Sequence, residues 1–194
     1  LLLSAAITGL VGFLLGMPAL RLRGDYLAIV TLGFGEIVRL VFVNWKGLTR
    51  GPAGLPGIPS PQIFGITISG RTEFYYLALI LALFTIFFMV KLINSGVGMA
   101  MQTVKNDEIA AEAIGIQPRK YKIMAFVLSS AFAGMIGCFF ASYLSYISPT
   151  AFVYNTSMTI LTMVVLGGLG SIMGSVLGAS ILVIVPEMLR FLND

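Results

Sequence analysis

Long runs of apolar residues alternate with short polar segments along this chain. The first run covers residues 1–20 and closes near Pro18; the second covers 26–45. A third spans 74–93, a fourth 123–147, and a last one 158–189. Each reaches or approaches the ~18 to 20 residues a helix needs to cross ~30 Å of hydrocarbon. Barrel strands would be about 10 residues long and would alternate strictly, which these runs do not. The pattern predicts an all-α, polytopic transmembrane helical bundle.

The breaks between the runs are as informative. Four prolines and four glycines between positions 47 and 61 forbid a continuous helix after the second run. Pro149 and Asn155 mark a turn before the last run. That run is too long for one straight crossing, and Gly167-Gly168-Leu169-Gly170-Ser171 interrupts it. A single long tilted span is one reading. A broken or re-entrant piece followed by a span is preferred, because each glycine weakens a helix by about 1 kcal/mol. Such breaks persist in membranes only where protein or a cavity covers the backbone. The opening LLLSAAITGL has neither an initiator Met nor a basic leader, so the chain is expected to be part of a longer protein whose N-terminal spans are missing here.

Composition sharpens the class. Of 194 residues, 58% are hydrophobic and only 10% charged, against about 25% charged in soluble domains. Net charge is +4 without a single histidine. The bases sit beside apolar spans, which suits the positive-inside bias and argues against nucleic acid as a partner. Segments 21–25 and 91–122 fall on one side by alternation and hold seven Lys/Arg, against three in 46–73 on the other. That places 91–122 in the cytoplasm. Cys138 is alone and mid-span, so no disulfide framework or metal cluster is expected.

One short island breaks the apolar text. Residues 105–122, KNDEIAAEAIGIQPRKYK, hold four basic and three acidic side chains. Asn106 or Asp107 can cap a helix there, and Asp107 and Glu108 sit well at its positive end. Gly115 supplies a stop and Pro118 bars resumption. The result is a helix of about eight residues, below the ~12 to 15 needed for independent stability. It must pack on something. Ile109, Ala113 and Ile116 share one face, with Glu108 and Glu112 on another. Docking to another protein and packing on the chain itself both remain open from spacing alone.

Glu108-Ile109-Ala110-Ala111-Glu112-Ala113-Ile114-Gly115 resembles the EAA-type loop of bacterial ABC importer permeases. The wider text is similar to the branched-chain amino-acid permease family, in its M-type inner-membrane subunit. RLRGDYLAIVTLGFGEIVRL, GPAGLPGIP, VKNDEIAAEAIGI, YKIMAFVLSSAFAGMIG and LGGLGSIMGSVLGA carry that resemblance in family order over nearly the whole chain. Arg50 stands where the family often has glycine. The resemblance implies a multi-pass permease of the bacterial inner membrane, one permease domain over 1–194 with a cytoplasmic coupling loop at 105–122. It implies a separate ABC ATPase subunit that carries ATP-Mg, a second permease subunit, a periplasmic substrate-binding protein and a lipid surround. Asp107, Glu108, Ala111, Glu112 and Gly115 would couple to the ATPase. Independently, no lysine here follows a glycine, so the chain has no Walker A motif. Ser/His/Asp and Cys/His sets are absent as well, so the chain is expected to be no enzyme and to bind no cofactor of its own.

The second span carries Glu36 and Arg39 within apolar text. Isolated, each would cost about 3 kcal/mol at mid-bilayer, and at i and i+3 they can neutralise one another. They can line the translocation path, where they suit an amino acid's ammonium and carboxylate; alternatively they pin helices, or Arg39 snorkels to the interface. Gly170, Gly174 and Gly178 form a small-residue ladder, as do Gly12 and Gly16, and Ala133, Gly137 and Ala141. Such faces permit close helix packing, within the chain or against the second permease. The Gly/Pro loop is either a docking surface for the binding protein or a rigid turn. Transport of branched-chain amino acids by alternating access is the expected function. The alternatives are a family permease for urea, short amides or another small polar solute, and, further off, an ion-driven secondary transporter.

Overall fold

The computed structural model describes residues 1–19, 25–63, 66–68 and 70–193. Arg21 and Arg23, which contribute to the charge asymmetry, lie outside the described residues. The helices are α1 (Leu2–Ala19), α2 (Asp25–Asn44), α3 (Lys46–Thr49), α4 (Arg71–Ile93), α5 (Gly96–Asn106), α6 (Glu108–Ala113), α7 (Pro118–Leu144), α8 (Tyr154–Gly167) and α9 (Ile172–Asn193). Two-residue strands fill the loops: β1 (Leu55–Pro56), β2 (Gln62–Ile63), β3 (Ile66–Thr67) and β4 (Tyr146–Ile147). Helices α4, α7 and the Ile172–Arg190 part of α9 are long and apolar enough to cross a membrane. The chain is an all-α polytopic membrane protein.

Its interior is sparse. Among the described residues the buried apolar side chains are Phe74, Leu77, Ala100, Val104, Ala111 and Phe132, while leucines, isoleucines and phenylalanines crowd the outside. Lipid is as apolar as these side chains, so helices associate through close packing instead of water exclusion. Helices α1 and α7 show how. A Cβ on Gly12 would strike Ser130, one on Gly134 would strike Thr8, and Gly16 faces Phe126. The α7 face is therefore Ser130 and Gly134. Gly137, expected in a parallel ladder with Ala133 and Ala141, has nothing within 4 Å of its Cβ position. Helix rotation turns it away from α1. Aromatic contacts join α4 to α7: Phe88 meets Phe132 at 5.1 Å and Phe74 meets Tyr143 at 5.4 Å between ring centroids.

The last apolar run is a helical hairpin. Gly168 and Gly170 take positive φ of 96° and 97° in the turn, and Ser171 Oγ accepts the Gly174 N–H at 3.0 Å to start α9. Helix α8 has 14 residues, about 21 Å of rise, less than a full crossing. Pro186 lies inside α9, where it removes one backbone hydrogen bond.

The Gly/Pro loop folds onto the far end of α7. Strand β1 pairs antiparallel with β4, Leu55 opposite Ile147 and Pro56 opposite Tyr146. Buried Ser148 donates its Oγ hydrogen to Pro52 O at 3.1 Å, and Tyr146 Oη donates to Ala53 O at 3.1 Å. Arg50 adopts φ 56°, ψ 17°, the left-handed region that glycine enters most easily. Gly54 is where this clamp is tightest: a Cβ there would stand 2.5 Å from Ile147 O and 3.0 Å from Ser148 Cα. Gly57 also has positive φ, 75°, but open space around it. Gly54→Ala is expected to lower stability by about 1–3 kcal/mol, and Gly57→Ala by clearly less. Thermal melts of the detergent-purified protein check this; equal shifts would show that backbone strain alone, not the β4 contact, makes Gly54 necessary.

Candidate functional site

The charged island is built as a corner of three helices. Residues 96–106, expected in the loop, form α5. The signals were Ser95, whose Oγ accepts the Gly98 N–H at 3.2 Å as an N-cap, and Val97, Ala100, Met101 and Val104 at helical spacing. Gly98 permits the sharp turn from α4, because a Cβ would run into the Leu92 and Ile93 backbone. Ala100 and Val104 bury the inner face of α5.

Asp107 then does two things with one residue. Its extended backbone, φ −154° and ψ 115°, ends α5 and opens α6. Its Oδ1 accepts the N–H groups of Ile109 and Ala110 at 2.8 and 3.1 Å, so two of the orphan donors at the start of α6 are satisfied. At the other end Gly115 has φ +82°. Its N–H donates to Glu112 O at 3.0 Å and the Ile116 N–H to Ala111 O at 3.0 Å. That pair of bonds is a Schellman stop. Helix α6 is therefore six residues long, clamped at both ends, where eight were expected.

Its packing differs from the sequence reading. Ala111 is wholly buried, at 0% exposure, and seats α6 on the protein. Ile109, on the face that spacing left open between docking and internal packing, is 76% exposed, and Ile114 is 68% exposed. Ala113 is exposed too. Six residues make fewer than two turns. Glu108 is ion-paired with Lys122 near the start of α7. Glu112 is exposed and makes no ion pair among the described residues. The outward surface thus combines Ile109, Ile114, Glu112 and Gly115. A shallow hollow of about 560 Å³ adjoins it, lined by Glu112 and by Gly115 to Arg119. Exposed isoleucine 114 was the feature missed, since spacing alone cannot tell which side of so short a helix is seated.

The hairpin turn meets this corner. A Cβ on Gly170 would stand 2.6 Å from Lys105 Nζ, in the last turn of α5. Gly170 belongs to that turn and not to a helix face. Gly174 and Gly178 instead pack within the hairpin, against Gly167 and the Met163 carbonyl. Away from the corner, Arg39 and Glu36 form a forked ion pair: Nε donates to both Glu36 oxygens at 3.1 and 2.9 Å, and Nη2 donates to Oε1.

Comparison with known proteins gives this arrangement a context. The family described as branched-chain amino acid transport system / permease component matches residues 1–193. The high-affinity branched-chain amino acid transport system permease protein LivM of Escherichia coli (strain K12) is 41% identical over 206 residues, 94% of this chain and 48% of its own length. The LivM protein of Salmonella typhimurium is 39% identical over 99% of this chain and 51% of its own length. An autoinducer 2 import system permease protein, LsrC of Salmonella typhi, is 27% identical over 98% of this chain and 55% of its own length. The chain spans about half the length of the curated relatives it matches. No solved structure matches it. A family match across the whole helical array, apolar spans and charged corner alike, is coherent with the fold, and the chain belongs to the branched-chain amino acid transport system permease family.

Proposed function

We propose that the chain is part of a permease subunit that imports branched-chain amino acids across a bacterial inner membrane, driven by ATP hydrolysed on separate ABC subunits. The observation that carries this reading is α6. A six-residue helix fixed by an aspartate cap, a Schellman stop and a buried alanine is a rigid handle, and it presents two isoleucines and a glutamate to the outside. Such a handle suits a mobile partner whose motion must reach the spans without being absorbed locally. It sits where α5, α6 and α7 meet, so displacement of α6 moves α7 along its 27-residue length. The excess of basic residues in the loops supports a cytoplasmic side for that end, where ATP is available. A second permease subunit would complete the pore, and a periplasmic binding protein would deliver the solute to the β1–β4 end.

Identity favours branched-chain amino acids over the autoinducer class, 39–41% to the LivM proteins against 27% to LsrC. The test is gentle purification of the full-length protein, with identification of what accompanies it, followed by reconstitution in proteoliposomes. A Walker-A ATPase is expected in the complex, together with ATP-dependent uptake of leucine, isoleucine and valine. Uptake that follows an ion gradient without any ATPase would overturn the reading in favour of a secondary transporter. ATP-driven uptake of a different solute would overturn only the substrate.

A further inference from the structure

From Tyr154 to Pro186 the α8–α9 hairpin carries no charged side chain. Its turn nevertheless meets one charge, the ammonium of Lys105 in the last turn of α5. Lys105 Nζ stands 2.6 Å, and Lys105 Cε 4.0 Å, from the position a Gly170 Cβ would take. Among the described residues, nothing else beyond the neighbours of Gly170 in the chain lies within 4 Å of that position. Lys105 makes no ion pair among the described residues. The turn it meets ends α8, and the last carbonyls of a helix lack intrahelical partners and form its negative end. A cation held over that end is attracted to it.

We infer that Lys105 is a positioning residue that ties the α8–α9 turn to the α5–α6 corner, so that displacement of α6 carries the hairpin as well as α7. The inference rests on the reading of α6 as a handle moved by an ATPase and extends that motion to a second element. Three observations carry it. Helix α5 is a seated lever, with Ala100 and Val104 buried, and Asp107 both ends it and caps α6 two residues beyond Lys105. The Lys105 backbone therefore moves with α6. The hairpin in turn moves as one body, because Gly174 and Gly178 pack against the Gly167 backbone and the Met163 carbonyl. Helix α9 is long and apolar enough from Ile172 to Arg190 to cross the membrane, so a pull at the turn reaches the far side. The third observation is a contrast between two glycines of the turn. Gly168 and Gly170 have φ of 96° and 97°, yet the Gly168 Cβ position is open while that of Gly170 is taken by Lys105. Backbone strain asks for glycine at both; only Gly170 also makes room for the lysine.

That contrast supplies the test. Gly170→Ala and Gly168→Ala impose the same strain, and only the first displaces Lys105. Each is introduced into the full-length permease, reconstituted with its ATPase and binding protein, and the ATP hydrolysed per leucine imported is measured. Gly170→Ala is expected to raise that ratio about fivefold above Gly168→Ala, a size typical of one contact in a coupling network. Lys105→Met is expected to raise it equally, and Lys105→Arg, which keeps the cation, to leave it near the wild-type value. Gly170→Ala combined with Lys105→Met is expected to be no worse than either alone, because both remove one contact. A role in stability alone would lower the melting temperature and leave the ratio unchanged. If Gly170→Ala does not assemble, Lys105→Met against Lys105→Arg carries the same expectation. Equal ratios for the two glycine variants, or additive effects of Gly170→Ala and Lys105→Met, overturn the proposal. The contact is read separately by a short bis-maleimide in membranes, with Lys105→Cys and Leu169→Cys in a permease otherwise free of cysteine. Lys105→Cys with Tyr154→Cys, at the other end of α8 and about 21 Å along it, is the control. Cross-linking of the first pair alone is expected, and its absence overturns the contact. A wild type that imports leucine without ATP hydrolysis overturns the importer reading and the coupling role with it, while the cross-link still decides the contact.

Discussion

Glu112→Lys is expected to abolish solute uptake by the assembled transporter and to uncouple its ATPase from the solute. The structure makes this substitution a clean probe. Glu112 is exposed and bears no ion pair among the described residues, so no internal contact of the fold depends on its charge. The helix beneath it is held by Asp107, Ala111 and Gly115, which the substitution leaves alone. What changes is the surface offered to a partner. Loss of one member of a close charge pair in an interface costs about 2–5 kcal/mol, and reversal adds repulsion. For a short handle with few contacts, that is enough to release it. Glu108→Lys would be a poorer probe, because it would break the ion pair to Lys122 and loosen α6 itself. The measurements are uptake in proteoliposomes and solute-stimulated ATP hydrolysis, with normal membrane insertion as the control. Unchanged uptake would show that α6 is a structural loop.

Gly174→Leu is the second large effect expected, and it acts on the hairpin. A Cβ at Gly174 would collide with the Gly167 carbonyl and stand 3.2 Å from Ser171 Cβ. Both obstacles belong to the hairpin itself, so relief requires α8 and α9 to separate. Gly178 is similarly confined, 2.8 Å from the Gly167 nitrogen by the same measure. Overpacking of this kind costs about 1–3 kcal/mol in cores that can relax; backbone obstacles relax less, so the upper end applies. A fall of several degrees in melting temperature is expected for the detergent-purified protein, with a smaller fall for Gly174→Ala. An unchanged melt would mean that α8 and α9 do not pack this closely in the protein.

Much of this protein was legible from its residues in order. Apolar run length determined an all-α membrane protein, since hydrocarbon thickness sets how long a helix must be. The glycines at 167–170 marked the break, because positive φ and missing side chains oppose helix. Asp107, Gly115 and Pro118 bounded the loop helix through local rules of capping. Glu36 and Arg39 announced their pairing by a three-residue spacing, which the structure realises.

What order alone left undecided were questions of which side faces what. Ser130 and Gly134, not Gly137, meet α1, because helix rotation depends on the partner helix and not on a small-residue repeat. Ala111 is the seat of α6, and Ile109 points outward, because a six-residue helix carries too few positions for periodicity to name its buried face. Helix α5 lies in a short segment of mixed polarity, where its amphipathic pattern is clear but apolar run length, the signal that marks the spans, says nothing. The contact of Lys105 with Gly170 joins the end of α5 to the α8–α9 turn, segments far apart in the chain. Local chemistry sets where helices start and stop; only the packing of distant segments sets which side chains they leave for a solute or a partner.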